Sequence, residues 1–86
     1  MLVTMLGKRW RIRFVSMKDY GECDPPSKTG KEIRIRKGLK GEILLDTILH
    51  ELAHAADQSK DEEWVNEMAS DMARALWRLG YRRTTE

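Results

Sequence analysis

The sequence predicts a small α+β domain in the order β-β-β-α-α, with a small antiparallel β-sheet packed against the first of two helices. Two observations support this. Apolar and charged residues alternate in the first half of the chain, and from about Gly41 the apolar residues recur with the period of a helix. The 86 residues suffice for a single domain, residues 1–86. The charged content of 35% and hydrophobic content of 41% are typical of a folded chain.

Three short segments of the first half are predicted strands. They are KRWRIRFV (residues 8–15), YGECD (20–24) and KEIRIRK (31–37). In the first, Trp10, Ile12 and Phe14 alternate with arginines, which is typical of a strand with one buried and one charged face. The turn-forming segment PPSKTG separates the other two, so we expect these to form a hairpin.

The first predicted helix has distinct apolar and polar sides. Its apolar side consists of Leu45, Ile48, Leu49, Leu52 and Ala56. His50, His54 and Asp57 lie nearly opposite that side at 100° per residue. The two histidines are therefore expected to line a cleft or an open surface together, rather than to be buried in the core.

The second predicted helix begins after Ser59 or Asp61, either of which can cap it. Its apolar stripe consists of Val65, Met68, Ala69, Met72, Leu76 and Leu79. Gly80 is a suitable residue to end the helix, with Tyr81 placed for a Schellman motif.

The segment ILHELAHAAD, residues 48–57, contains both histidines of the chain in the spacing H-E-x-x-H. Histidines four residues apart on a helix lie one turn apart on the same face, so both imidazoles can bind one metal ion. Catalytic zinc sites use such nitrogen ligands together with a third protein ligand and water. His50 and His54 are therefore predicted zinc ligands.

Glu51 is rotated by about 100° from His50 on the helix, beside the predicted metal rather than on it. There it can accept a proton from zinc-bound water and pass it to the leaving amine of a peptide bond. The predicted activity is thus that of a zinc metallopeptidase acting on a peptide or protein, with Glu51 as the catalytic base.

Three acidic residues are candidates for the third ligand. Asp57 shares the histidine face and could bind the metal or orient His54. Glu62 opens the second helix at the margin of its apolar stripe, as expected of a ligand that reaches into a cleft between two helices. Glu67 has a suitable height along the helix but projects away from the stripe. Glu62 is the preferred candidate.

The chain resembles the minimal zincin-type metallopeptidases often encoded by bacteriophages and prophages, relatives of the SprT-like and ImmA/IrrE-type families. The matching pieces are Gly21-Glu22-Cys23-Asp24, Leu49-His50-Glu51, His54-Ala55 with Asp57, and Glu62 with Val65, Met68 and Ala69. The resemblance implies that His50, His54 and Glu62 bind zinc and that Glu51 is the general base. Tyr81 is a candidate for an additional oxyanion donor.

The charge distribution supports a rival hypothesis. Residues 1–42 contain eleven Lys or Arg and five Asp or Glu, whereas residues 43–86 contain five and nine. In the rival, strand arginines contact nucleic-acid phosphates and the zinc is structural; these arginines are Arg9, Arg11, Arg13, Arg34 and Arg36. A peptide substrate is instead expected to pair with an edge strand near Ile33–Ile35.

The expected location is the cytoplasm. Cys23 is the single cysteine, which suits a reducing compartment. No apolar run approaches the roughly 20 residues that span a bilayer, so no membrane partner is expected.

Overall fold

A computed structural model describes residues 1–84. The elements are β1 (Leu2–Met5), β2 (Lys8–Val15), β3 (Gly21–Cys23), β4 (Glu32–Arg36), α1 (Gly41–Ala56) and α2 (Glu62–Arg78). The predicted α+β class, with the sheet preceding two helices, is confirmed. β1 is an additional strand that was not predicted. Neither helix is long and apolar enough to cross a membrane.

The four strands form one mixed sheet in the order β1-β2-β4-β3. β3 and β4 pair antiparallel, as predicted for a hairpin, but β2 and β4 pair in parallel. The prediction of a purely antiparallel sheet was therefore wrong. The chain reverses its direction between β2 and β3 and again between β3 and β4. β4, which lies between β2 and β3 in the sheet, therefore runs in the same direction as β2.

The position of β4 also corrects the predicted edge strand. Ile33 and Ile35 are 1% and 0% exposed and lie in an interior strand, so this strand has no free edge. The edge strands are β1 and β3, and of these β3 lies closer against α1.

One apolar core joins the sheet to α1. Its buried residues are Trp10, Ile12, Ile33, Ile35, Leu44 and Ala55. The alternation in β2 and β4 directs alternate side chains into this core and leaves the arginines on the other face of the sheet.

α2 packs against α1 through a narrow stripe of small side chains. Val65, Ala69 and Ala73 are completely buried, and short side chains at a helix contact let two helices approach closely. Met72 and Leu79, predicted as part of the apolar stripe, are instead 44% and 73% exposed. The line of buried residues on α2 is therefore rotated to one side of the predicted apolar stripe.

The ends of α2 are defined by local hydrogen bonds. Asp61 is the N-cap and accepts from the backbone N–H of Glu63, whereas Ser59 interacts with Asp57 and does not cap the helix. At the other end, Gly80 has a φ of 94° and donates to the carbonyl of Trp77, while Tyr81 donates to Leu76. These two bonds form the predicted Schellman motif.

Candidate metal centre

Three potential ligand residues converge in the cleft between α1 and α2. The Nε2 atoms of His50 and His54 are 3.1 Å apart. Oε1 of Glu62 lies 3.0 Å from Nε2 of His50, and Oε2 of Glu62 lies 3.0 Å from Nε2 of His54. The histidine side chains are 17% exposed and that of Glu62 is 63% exposed, so the cluster lies at the mouth of the cleft.

The two helices bring these residues together through a short connection. His50 and His54 are one turn apart near the end of α1, and Glu62 is the first residue of α2. The chain leaves the helical conformation at Asp57 and the Asp61 cap starts α2, so the first turn of α2 lies beside the last turns of α1. Glu62, which directly follows the turn in the sequence, therefore lies close to the histidines in space.

The geometry of the cluster fits a metal ion. Bonds of about 2.0–2.1 Å in a tetrahedral arrangement place neighbouring ligand atoms about 3.3 Å apart. The two Nε2 atoms, 3.1 Å apart, and the 3.0 Å from each of them to a different oxygen of Glu62 are close to this value. The cluster of His50, His54 and Glu62 can therefore hold a metal ion.

Glu51 lies beside this cluster in a more enclosed environment. It is 6% exposed, whereas both histidines are only partly buried. Burial, together with the negative charges of Glu62 and Glu22, raises the pKa of Glu51 to about 7. The structure places Glu51 next to His50 in the lining of one cavity, with its carboxyl group between α1 and β3.

β3 forms one wall of the Glu51 environment through Gly21. A Cβ atom at this position would lie 3.0 Å from Cγ and 3.1 Å from Oε2 of Glu51, and 3.1 Å from Cγ2 of Thr47. The absence of a side chain at Gly21 therefore permits the close approach of β3 to α1.

The other acidic candidates lie apart from the cluster. Asp57 is the C-cap residue of α1 with a φ of −155°, and its Oδ1 accepts hydrogen bonds from the backbone N–H and the hydroxyl of Ser59. These bonds lower the pKa of Asp57. Glu67 lies on the exposed side of α2 in a shallow depression beside Asp71 and Arg74.

Tyr81, the candidate oxyanion donor, is also distant from the histidine side of α1. It borders a separate apolar cavity of about 390 Å³ that Leu44, Ile48 and Leu52 line from the other side of that helix. The aromatic residue next to the histidine cleft is instead Tyr20, which lines a cavity together with His50 and Glu51. Tyr20 directly precedes β3, a position that the periodicity of the sequence did not single out.

A charged network holds β3 in place on β4. The buried Asp24 accepts from the guanidinium of Arg34 and from the backbone N–H of Glu32 at 2.8 Å, and Arg34 also pairs with Glu22 and Glu32. Hydrogen bonding to Arg34 holds the pKa of Asp24 well below its usual range, despite burial. The Gly21-Glu22-Cys23-Asp24 segment was singled out by resemblance, but its partnership with Arg34 was not predicted.

Comparisons of the chain with protein-family models, with curated proteins and with solved structures find no significant match.

Proposed function

We propose that this protein is a zinc-dependent metallopeptidase that hydrolyses a peptide bond. The observation that carries the proposal is the convergence of His50, His54 and Glu62 at mutual distances of about 3 Å, with a buried carboxyl group next to them. Two imidazoles and one carboxylate are a donor set that zinc prefers, and a three-residue set leaves a position for substrate or water. The lone Cys23, which is a free thiol, favours the cytoplasm as the location.

Each residue has a distinct task in this proposal. His50, His54 and Glu62 would hold a zinc ion, and this ion would supply the Lewis acidity that polarises the carbonyl of the scissile bond. Glu51 takes a proton from the attacking water and later delivers it to the leaving amine. Burial raises the pKa of Glu51, which makes its carboxyl group a better proton acceptor and donor at neutral pH.

β3 is the strand that a peptide substrate would pair with. It is an edge strand of the sheet, and Gly21 at its start touches Glu51. An extended peptide added to this edge would pass in front of the carboxyl group and the metal ligands. This replaces Ile33–Ile35, which are interior, as the substrate strand.

The rival hypothesis of a nucleic-acid-binding module has weaker support. Of the five strand arginines, Arg34 is engaged with three carboxylates and Arg13 pairs with Glu32. Arg9 and Arg11 remain exposed beside Lys31. A purely structural metal site would also have no use for the buried Glu51 beside its histidines, so peptidase activity is the preferred function.

The variant Glu51→Gln tests the proposal. The amide keeps size and polarity but cannot accept a proton, so hydrolysis of denatured protein should fall at least about a hundredfold while the zinc content stays unchanged. Glu63→Gln, in the exposed first turn of α2, is the matched control and should keep full activity. Full activity in Glu51→Gln would exclude Glu51 from the mechanism. Salt-dependent DNA binding by a protein without peptidase activity would favour the rival.

A further inference from the structure

A cavity of about 410 Å³ adjoins the metal cluster between α1, α2 and the start of β3. His50 and Glu51 belong to its lining, so it opens directly onto the proposed reaction centre. Its size lies within the range of about 300–1,000 Å³ that is usual for ligand pockets. A substrate side chain that enters it must therefore belong to a residue next to the scissile bond.

The wall of this cavity away from the metal contains an unneutralised carboxylate. Asp46, four residues before His50 and on the same side of α1, is partly buried and accepts one hydrogen bond of 2.8 Å from the hydroxyl of Ser70. Among residues 1–84, no Lys or Arg forms an ion pair with Asp46, and none lines the cavity. A neutral hydroxyl supports the charge of Asp46 but does not balance it.

The other polar groups of the lining can also accept hydrogen bonds from a cation. Asn66, one helical turn after Glu62 on α2, and Tyr20, directly before β3, line the same cavity as Asp46. An apolar side chain would instead remove water from Asp46 without supplying a partner, which is unfavourable.

We propose that this cavity binds the side chain of a substrate lysine or arginine next to the scissile bond, with Asp46 as the residue that determines this specificity. This rests on the proposed peptidase function. The aliphatic part of the side chain would pass the methyl group of Thr47, and its charged end would reach Asp46, with Ile43 beyond it at the far end of the cavity.

The first test is to map the cleavage sites of the zinc-loaded protein in a library of peptides from a digested proteome by mass spectrometry. We expect a preference of at least about tenfold for Lys or Arg over apolar residues of similar length, such as Met, at one position next to the cleaved bond. Asp46→Asn should abolish this preference, and Asp46→Glu, which keeps the charge, should retain most of it. Asp71→Asn removes an exposed aspartate elsewhere on the surface and should change nothing. Cleavage that prefers apolar or acidic residues, or a preference unchanged in Asp46→Asn, overturns the inference.

A binding measurement separates this inference from the peptidase proposal. Synthetic peptides that differ only in Lys, norleucine or Glu at the preferred position are titrated into the Glu51→Gln variant by calorimetry. If no peptide is cleaved, the preferred position stays undefined. A set of peptides with Lys at each position in turn is then titrated instead. Tighter binding of Lys peptides, lost when Asp46→Asn is added, supports the cavity assignment even if hydrolysis is absent. Equal affinity for the three side chains contradicts it, whether or not peptides are cleaved.

Discussion

At the scale of single residues, Gly21 determines how closely β3 can approach Glu51. Its α-hydrogen occupies the space where a Cβ would lie 3.0 Å from Cγ of Glu51. This contact joins the edge strand to the proposed catalytic base. The role of Gly21 therefore depends on packing rather than on an unusual backbone conformation, and no turn signal in the sequence identifies it.

Gly21→Ala should consequently lower the rate of hydrolysis by more than the loss of folded protein alone would explain. The methyl group must displace the Glu51 carboxyl group or separate β3 from α1, which we expect to cost about 1–3 kcal/mol of unfolding free energy. Hydrolysis should fall at least about tenfold with the zinc content retained. Gly38→Ala is the control, because that glycine has a φ of 88° and open space around it. It should lose stability and keep its activity per folded molecule; equal activity losses in the two variants would refute the role of Gly21.

Asp57 and Glu62 illustrate how far helical periodicity predicts a site. The position of Glu62 at the margin of the buried face of α2 was visible in the sequence, because α2 continues regularly through Val65 and Ala69. Asp57 was assigned to the histidine face by the same rule, but the chain has left the helix there, with a φ of −155°. Its hydrogen bonds to Ser59 depend on a local turn for which the helical period carries no information.

At the scale of elements, the hairpin of β1 and β2 turns through Leu6 and Gly7. Both residues have positive φ values, 50° and 79°, and Met5 pairs with Lys8 across the turn. Two residues with positive φ between antiparallel strands form a type I′ turn, for which Asn-Gly is the preferred sequence. Leucine is unfavourable there, which explains why β1 could not be predicted from turn chemistry.

Leu6→Asn should therefore stabilise the protein. Leu6 is 81% exposed, so little apolar contact is lost, and asparagine adopts positive φ at lower cost than leucine. We expect a gain of about 0.5–1 kcal/mol, which corresponds to a rise in melting temperature of about 2–8 °C for a domain of this size. Leu6→Val is the comparison, since a β-branched residue is still less favourable at positive φ. An unchanged or lower melting temperature in Leu6→Asn would refute the turn assignment.

The β3–β4 pair depends on the buried Asp24. Its pKa in the folded protein lies below the usual value, chiefly because Arg34 donates to it. A depressed pKa means that the ionised form stabilises the fold above the unfolded-state pKa of about 3.9, and that this stabilisation is lost as the pH falls.

Asp24→Asn should lower the unfolding free energy by about 2 kcal/mol at neutral pH. The difference from the parent protein should shrink in acid, where the parent loses the same contribution. Urea denaturation at a series of pH values measures this, with the exposed Asp19→Asn as control. A difference that stays constant down to the acid limit of the folded state would contradict the assigned role of the Asp24 charge.

At the scale of the whole molecule, a small sheet and two packed helices position the cluster of His50, His54 and Glu62. The alternation in β2 and β4 and the helical period after Gly41 were sufficient to predict the class. The predicted apolar side of α1 was misplaced, because the buried residues of this helix are Leu44, Thr47, Glu51 and Ala55, on the side next to the histidines. The parallel pairing of β2 with β4 was not predictable, because alternation specifies which face of a strand is buried but not its neighbour or direction. The substrate strand was misplaced for that reason.

The cluster of His50, His54 and Glu62 also joins the two helices. Glu62 approaches the α1 histidines from α2, and Ser70 of α2 donates to Asp46 of α1 further along the same contact. A metal ion bound at 100 times its dissociation constant would add about 2.7 kcal/mol to the unfolding free energy. For a chain of 86 residues that is a substantial fraction of the usual total.

The metal content of purified variants tests the central claim most directly. Elemental analysis should find close to one zinc per chain in the parent protein and in Asp57→Asn and Glu67→Gln, whose side chains lie outside the cluster. Glu62→Gln should lose the zinc or bind it at least about tenfold more weakly, because a neutral amide is a much poorer ligand than a carboxylate. Normal zinc affinity in Glu62→Gln, or loss of zinc in Asp57→Asn instead, would contradict the assignment of His50, His54 and Glu62 as the metal site.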